Sequence, residues 1–124
     1  MQTKDAVTSL AALAHESRLG VFRLLMEAGP GGTTPGKVAE ALGVSPSTLS
    51  FHLKELANAG LVTSRAESRF LLYSVDMDRM ASLMAFLTEN CCRGMPGECV
   101  ATMETALLRC CEPPSTPFEK GKSP

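Results

Sequence analysis

Apolar residues recur every three or four positions in the first part of the chain, which predicts two amphipathic helices. The first is predicted over residues 5–14 and the second over residues 16–28. Their apolar faces consist of Val7, Leu10, Leu13 and Ala14 in the first, and of Leu19, Phe22, Leu25 and Met26 in the second. The Gly-Pro-Gly-Gly sequence at residues 29–32 is typical of a flexible turn and ends the second helix.

Two shorter helices are predicted next, each preceded by a capping residue and beginning with a proline. Thr34 precedes the helix predicted over residues 35–42, and Ser45 precedes the helix predicted over residues 46–59. The leucines expected to face inward in the second of these are Leu49, Leu53 and Leu56. Only residues 43–45 join the two helices, which is the arrangement of a helix-turn-helix.

The chain then becomes rich in β-branched, aromatic and leucine residues. Residues 61–65 and 69–75 predict the strands of a β-hairpin, joined by a turn at residues 66–68. A further helix is predicted over residues 77–90 and a last helix over residues 98–111. Their apolar stripes are Met77, Met80, Met84 and Leu87 in the first, and Val100, Met103 and Leu107 in the second. We interpret the methionine stripe as a packing surface, in the core or in a dimer interface.

The composition is that of a globular chain of one domain's length. Its 124 residues are 44% hydrophobic and 20% charged, which excludes a fully disordered chain. No apolar run approaches the roughly 18 residues that span a bilayer, and the N-terminus lacks the apolar stretch of a signal peptide. We therefore expect a cytoplasmic protein without a membrane partner. The net charge of −1 argues against a generic polyanion binder, although it leaves room for a small basic patch.

All the cysteines lie in the last third of the chain. They are Cys91, Cys92, Cys99, Cys110 and Cys111. In a reducing cytosol we expect thiols or metal ligands rather than disulfides. The asymmetry predicts a cysteine-free scaffold at residues 1–90 and a cysteine-rich segment at residues 91–111. Two prolines, Pro113 and Pro114, end the last predicted helix, and we expect a disordered tail at residues 112–124.

Cys91 and Cys92 are adjacent, and a loop that contains glycine and proline separates them from Cys99. If that loop turns back, three thiolates meet without a nearby histidine, a set that selects a soft ion. General inorganic chemistry favours trivalent arsenic or antimony, which takes three sulfurs in a pyramid. Cys110 and Cys111 could supply the third sulfur, bind a second ion or be spare thiols. Two-sulfur binding of a methylated trivalent arsenical stays open, as do redox-active or incidental cysteines.

Short polar and basic side chains surround the start of the helix predicted over residues 46–59 and the predicted hairpin turn. The helix start offers amide groups and a positive dipole end to a phosphate, and short hydroxyl side chains allow close approach in a major groove. The candidate DNA-binding residues are Ser45, Ser47, Thr48, Ser50, His52, Lys54, Arg65 and Arg69. Two alternatives stay open, namely that the serines are merely solvated and that His52 is a half-buried structural residue. Because the patch is thin, we expect a homodimer that reads a two-fold symmetric site in double-stranded DNA.

The segment STLSFHLKELANAGLV at residues 47–62 resembles the recognition helix of the ArsR/SmtB-type metalloregulatory repressors, in which S-x-x-S-x-H-L precedes G-L-V. The family's ALA-x-x-x-R-L segment appears as ALAHESRL at residues 12–19. Ser68 stands where the family's wing has a glycine, which predicts a less sharply turned wing tip. The remaining wing pattern, R-x-x-G-R followed by Y-S, is matched by Arg65, Arg69, Tyr73 and Ser74. The resemblance covers about residues 6–90.

The resemblance implies a fold that is mainly α-helical with a β-hairpin, a winged helix-turn-helix that dimerises through its first and last scaffold helices. It implies a repressor bound to operator DNA rather than an enzyme. Two known family sites are absent, since residues 36–44 contain no cysteine and the helix predicted over residues 77–90 contains no histidine. Some arsenic sensors of the family instead use a Cys-Cys pair after that helix and a later cysteine. Cys91, Cys92 and Cys99 resemble that set, which implies release from DNA by trivalent arsenic as arsenite, by antimonite or by a methylated trivalent arsenical.

Two other functions stay open on the same residues. The cysteines could form a thiol-redox switch on the same scaffold, or the chain could be a thiol-dependent arsenical-handling protein. A phosphatase-like arsenate reductase needs an arginine six positions after its cysteine, but Glu98 and Thr105 stand at the corresponding places. The chain also has no C-x-x-C pair. We therefore expect no enzymatic activity.

Overall fold

The computed structural model describes residues 1–94 and 97–110, without the side chain of Cys92. A two-stranded antiparallel hairpin follows four helices, and further helices follow the hairpin. The elements are α1 (Thr3–Leu13), α2 (Glu16–Ala28), α3 (Pro35–Leu42), α4 (Pro46–Asn58), β1 (Val62–Glu67), β2 (Phe70–Val75), α5 (Met77–Leu87), a short 3₁₀ helix (Cys91–Gly94) and α6 (Glu98–Arg109). This confirms a mainly α-helical winged helix-turn-helix, with α3 and α4 as its two helices and the hairpin as its wing.

The chain divides into two compact units. The first is Met1–Leu87, and the second begins at Thr88. The core of the first unit joins α2, α3, α4 and the hairpin, and its least exposed large side chains are Leu25, Leu49, Leu56 and Leu61. The inward orientation predicted for the leucines of α4 is confirmed, since Leu53 is buried with them. Burial of leucine side chains on this scale is the main stabilising contribution to such a small core.

Side-chain caps fix the two helices of the helix-turn-helix. Thr34 Oγ1 accepts a hydrogen bond from the Lys37 amide at 3.4 Å, and Ser45 Oγ accepts one from the Thr48 amide at 3.3 Å. Gly43 ends α3 with a left-handed backbone at φ 66°. A cap of this kind stabilises a helix by about 1 kcal/mol, so the local sequence sets where α4 begins.

The apolar face predicted for α1 is not its buried face. Val7 is 59% exposed and Leu10 is 41% exposed. The residues that α1 buries are small ones, namely Ala6, Ser9 and Ala12. Small side chains let α1 approach α2, α4 and α5 closely, so packing distance rather than hydrophobicity selects the inner face. In α2, Val21 is buried, whereas Leu19 and Met26 are exposed.

The wing has a tighter tip than the sequence predicts. The two strands pair along their whole lengths and end with Glu67 opposite Phe70. Only Ser68 and Arg69 connect them, so the first two residues of the predicted turn at 66–68 belong to β1. Ser68 adopts the left-handed conformation at φ 55°. The expectation of a less sharply turned tip is therefore wrong, because the serine takes the backbone conformation for which glycine is usually needed.

The wing also pairs with the loop that follows α2. The Thr33 amide donates to the Tyr73 carbonyl at 3.0 Å, and the Tyr73 amide donates to the Thr33 carbonyl at 2.9 Å. Gly32 precedes this bridge with φ 77°, and a Cβ atom there would lie 2.8 Å from the Tyr73 carbonyl oxygen. Only glycine satisfies both the backbone conformation and the close approach.

Both later helices are shorter than predicted. The helix expected to reach residue 90 ends at Leu87, and Asn90 adopts a left-handed φ of 59°, which asparagine tolerates better than most residues. The helix expected over residues 98–111 ends at Arg109. Cys111 and residues 112–124, for which disorder is expected, lie outside the described residues. No helix in the described ranges has the length and apolar character to cross a bilayer.

Candidate DNA interface and thiol pair

Hydroxyl groups cluster at the exposed start of α4. Ser45 Oγ donates to Thr48 Oγ1 at 2.8 Å and lies 3.3 Å from Ser47 Oγ. The three residues are exposed, so their hydroxyl groups lie together on the surface. Hydroxyl donors at a helix start, beside the positive end of the helix dipole, suit a phosphate oxygen.

The outer face of α4 carries the exposed residues Ser47, Ser50 and Lys54. Between them lies Phe51, which is 54% exposed. This phenylalanine is not among the candidate DNA-binding residues predicted from the sequence. Its spacing from Ser47 and Lys54, four residues before and three after, could have placed it on the same face.

His52 points away from that face. Its side chain is 5% exposed, and Nδ1 accepts a hydrogen bond from Arg18 Nε at 3.5 Å. The His15 ring lies 5.1 Å from the His52 ring, centroid to centroid. Burial lowers the pKa of His52 below its usual 6.5, and the neighbouring charges of His15 and Arg18 lower this pKa further. This geometry favours the alternative in which His52 is a structural residue that joins α4 to α2.

Arg18 lies on α2 and contacts both α1 and α4. The sequence indicates it only as the arginine of the family's ALA-x-x-x-R-L segment. Besides its bond to His52, Nη1 donates to the Ala12 carbonyl at 3.4 Å. Its Cζ atom lies 5.9 Å from the centroid of the Phe51 ring, within cation–π range. Arg18 therefore braces the outer face of α4 from α2.

The two wing arginines occupy different environments. Arg65 Nη2 donates to the Gly31 carbonyl at 2.8 Å, and the same atom forms an ion pair with Glu67 at 3.2 Å. Arg65 Nη1 adds a weaker bond to the Pro30 carbonyl at 3.4 Å. Arg69 lies in the two-residue turn and is exposed. Arg65 thus fixes the wing to the loop after α2, while Arg69 stands at the tip.

In the second unit, the structure brings together two of the predicted sulfur ligands. Cys91 Sγ and Cys99 Sγ lie 3.0 Å apart, and both side chains are half-buried. Cys110 is exposed in the turn after α6. The side chain of Cys92 and all of Cys111 lie outside the described part of the structure. Within the described part, no cluster of three or more potential metal ligands is found.

Comparison with known proteins places this geometry in a family. A helix-turn-helix domain family matches residues 13–65. The HTH-type transcriptional regulator YgaV of Escherichia coli K12 is 30% identical over 72% of this chain and 88% of its own length. The solution structure of a homodimeric winged helix-turn-helix domain from Mycobacterium bovis, a possible ArsR-family regulator, is 25% identical with a TM-score of 0.55, over 76% and 87% of the two chains. The chain belongs to the ArsR/SmtB family of transcriptional regulators.

Two further similarities are to proteins whose names refer to resistance to mercury or arsenicals. A probable mercury resistance operon repressor of Streptomyces lividans is 31% identical over 81% of this chain and 70% of its own length. The crystal structure of a possible transcriptional regulator for arsenical resistance is 29% identical with a TM-score of 0.56, over 78% and 94% of the two chains. The matched relatives are regulators of transcription, in agreement with a DNA-binding rather than an enzymatic role for this ArsR/SmtB-family chain.

Proposed function

We propose that this protein is a homodimeric repressor that binds a two-fold symmetric operator and leaves it when trivalent arsenic, or antimony, binds its cysteine thiolates. The observation that carries the proposal is the 3.0 Å separation of Cys91 Sγ and Cys99 Sγ. The similarity to a possible regulator for arsenical resistance supports it.

The sulfur geometry suits one shared ion. Two thiolates on one ion, each with a bond of about 2.3 Å, can lie no more than about 4.6 Å apart, so the Cys91 and Cys99 sulfurs meet that limit. The separation also exceeds the roughly 2.05 Å of a disulfide. Both histidines of the chain, His15 and His52, belong to the first unit, so the thiols lack imidazole partners within their own unit. Cys92 is our proposed third ligand because it adjoins Cys91 in the sequence.

A dimer is supported by apolar surface on α1 and α5, which contact each other within the first unit. Val7 and Leu10 of α1 and Met77 and Leu87 of α5 are exposed. Exposed apolar side chains on two neighbouring helices are typical of an interface. We propose that these helices pair with those of a second copy, which doubles the outer face of α4 and the wing.

Release from DNA requires coupling between the thiols and α4. Cys91 follows the end of α5 by four residues in the chain, so ordering of its segment around an ion acts next to a proposed dimer helix. Coupling energies of this kind are about 1–3 kcal/mol, or about 5- to 150-fold in affinity, and they are reciprocal. Operator DNA is therefore expected to weaken arsenic binding by the same factor.

The proposal is tested by fluorescence anisotropy of a labelled upstream-promoter duplex at one fixed salt concentration. Arsenite is titrated into the reduced wild-type complex and into the complexes of Cys91→Ser, Cys99→Ser and the control Cys110→Ser. We expect release from the wild type and from Cys110→Ser, and retention by the other two variants. Release from Cys99→Ser as well would exclude Cys99 from the site and leave either a two-sulfur site at Cys91 and Cys92 or a third ligand from Cys110 or Cys111. Binding of arsenite without any change in DNA affinity would contradict the mechanism.

A thiol-redox switch is the second candidate, because the same 3.0 Å contact suits oxidation to a disulfide. It is distinguished by adding peroxide instead of arsenite to the complex. Release by peroxide that dithiothreitol reverses, together with indifference to arsenite, would favour the redox switch. Mercuric ion is a useful third titrant, since it also prefers thiolates and a mercury resistance repressor is among the relatives.

A further inference from the structure

Phe51 is an apolar ring on a polar surface. It is 54% exposed on the outer face of α4, while Leu49, Leu53 and Leu56 fill the inner face. The ring is therefore largely outside the core. An exposed aromatic ring among hydroxyl and ammonium groups can pack against a binding partner that presents one apolar group among polar ones.

Two neighbours hold the ring in place. The Arg18 guanidinium carbon lies 5.9 Å from the ring centroid, and the His52 ring lies 5.8 Å from it with an interplanar angle of 60°. Arg18 is itself tied to the Ala12 carbonyl and to His52. Phe51 is thus presented from a braced position, which reduces the entropy that it loses on binding.

We propose that Phe51 reads the 5-methyl group of a thymine in the major groove of each half-site. This inference rests on the proposed function, in which the protein binds operator DNA, and it places the outer face of α4 in the major groove. There, thymine is the base whose edge carries a methyl group, whereas the other bases present hydrogen-bond donors and acceptors. A phenylalanine cannot satisfy those polar groups and would leave them desolvated. Phe51 is therefore a specificity-determining residue, flanked by hydroxyls that suit the backbone.

The test removes one methyl group at a time. A duplex is selected from a random library with the purified reduced protein, and each thymine is then replaced by deoxyuridine, which keeps the hydrogen bonds and lacks the methyl. At one thymine in each half-site we expect wild-type affinity to fall about fourfold, the loss that corresponds to one buried methyl group. Phe51→Ala should bind the parent duplex more weakly and be indifferent to deoxyuridine at that position.

Phe70→Ala is the matched control, because Phe70 is another exposed phenylalanine of the first unit and lies on β2. It should keep the full deoxyuridine effect at the same thymine. Circular dichroism melts verify that each variant is folded. Equal deoxyuridine losses in wild type and Phe51→Ala, or no deoxyuridine effect in the wild type, would overturn this inference alone. Failure of the wild type to select any duplex would overturn the proposed function together with it.

Discussion

The two units of the chain differ in the interactions within each of them. The first unit buries Leu25, Leu56 and Leu61 completely. In the second, none of the residues of α6 is buried, and Leu108 is 72% exposed. The second unit instead contains a close contact between two sulfur atoms, those of Cys91 and Cys99. The residues that stabilise the fold and the cysteines that we propose to bind the inducer therefore lie in different units of the chain.

The largest stability effect is expected from Leu56→Ala. Leu56 is 0% exposed, so its truncation leaves a cavity and should reduce the free energy of unfolding by about 2–5 kcal/mol. Leu108→Ala makes the same chemical change on an exposed residue of α6 and should cost less than about 0.5 kcal/mol. Urea unfolding followed by circular dichroism measures both. Similar losses in the two variants would mean that α6 is packed as tightly as the core.

A smaller loss, about 2 kcal/mol, is expected from Gly32→Ala. The alanine would have to adopt φ 77° and place Cβ 2.8 Å from the Tyr73 carbonyl oxygen, and left-handed strain alone costs roughly 1–2 kcal/mol. Gly31→Ala is the matched control, because a Cβ at Gly31 meets no atom within 4 Å. The midpoint of thermal unfolding should fall for Gly32→Ala and stay near the wild-type value for Gly31→Ala. If both variants melt alike, the loop does not hold the wing.

A pH-dependent loss of stability is expected from His52. Burial, His15 and Arg18 lower its pKa in the folded state, so the unfolded chain binds more protons and stability rises with pH. This contribution is complete above the unfolded pKa of about 6.5 and is lost as the pH falls below that value towards the lowered folded pKa. Free energies of unfolding measured near pH 8 and near pH 5.5 should differ more for the wild type than for His52→Gln. An equal difference would assign the pH dependence to other groups.

The smallest stability effect is expected from Cys99→Ser, within about 0.5 kcal/mol of the wild type. Cys99 is only half-buried and belongs to the second unit. The same variant should lose protection of Cys91 by arsenite against an alkylating reagent, which mass spectrometry detects. Strong destabilisation would show that the two units are energetically joined, and retained protection would exclude Cys99 from the site.

The sequence predicts most accurately where local interactions decide. The helix starts after Thr34 and Ser45 depend on a cap and a proline that are adjacent in the chain, and both are found. The inner face of α1 was mispredicted because its selection depends on how closely other helices approach Ala6 and Ser9, which periodicity does not contain. The braced position of Phe51 was missed for the same reason, since Arg18 reaches it from another helix.

The bonds of Arg65 affect how the DNA affinity depends on ionic strength. Its guanidinium forms an ion pair with the carboxylate of Glu67, so the pair carries no net charge to exchange for the condensed counterions of a duplex. Each cation that neutralises a phosphate adds about 0.9 to the slope of log affinity against log salt. Wing docking then releases fewer ions than the number of wing arginines implies. The decline of DNA affinity with rising salt should therefore be less steep than two unpaired wing arginines would give.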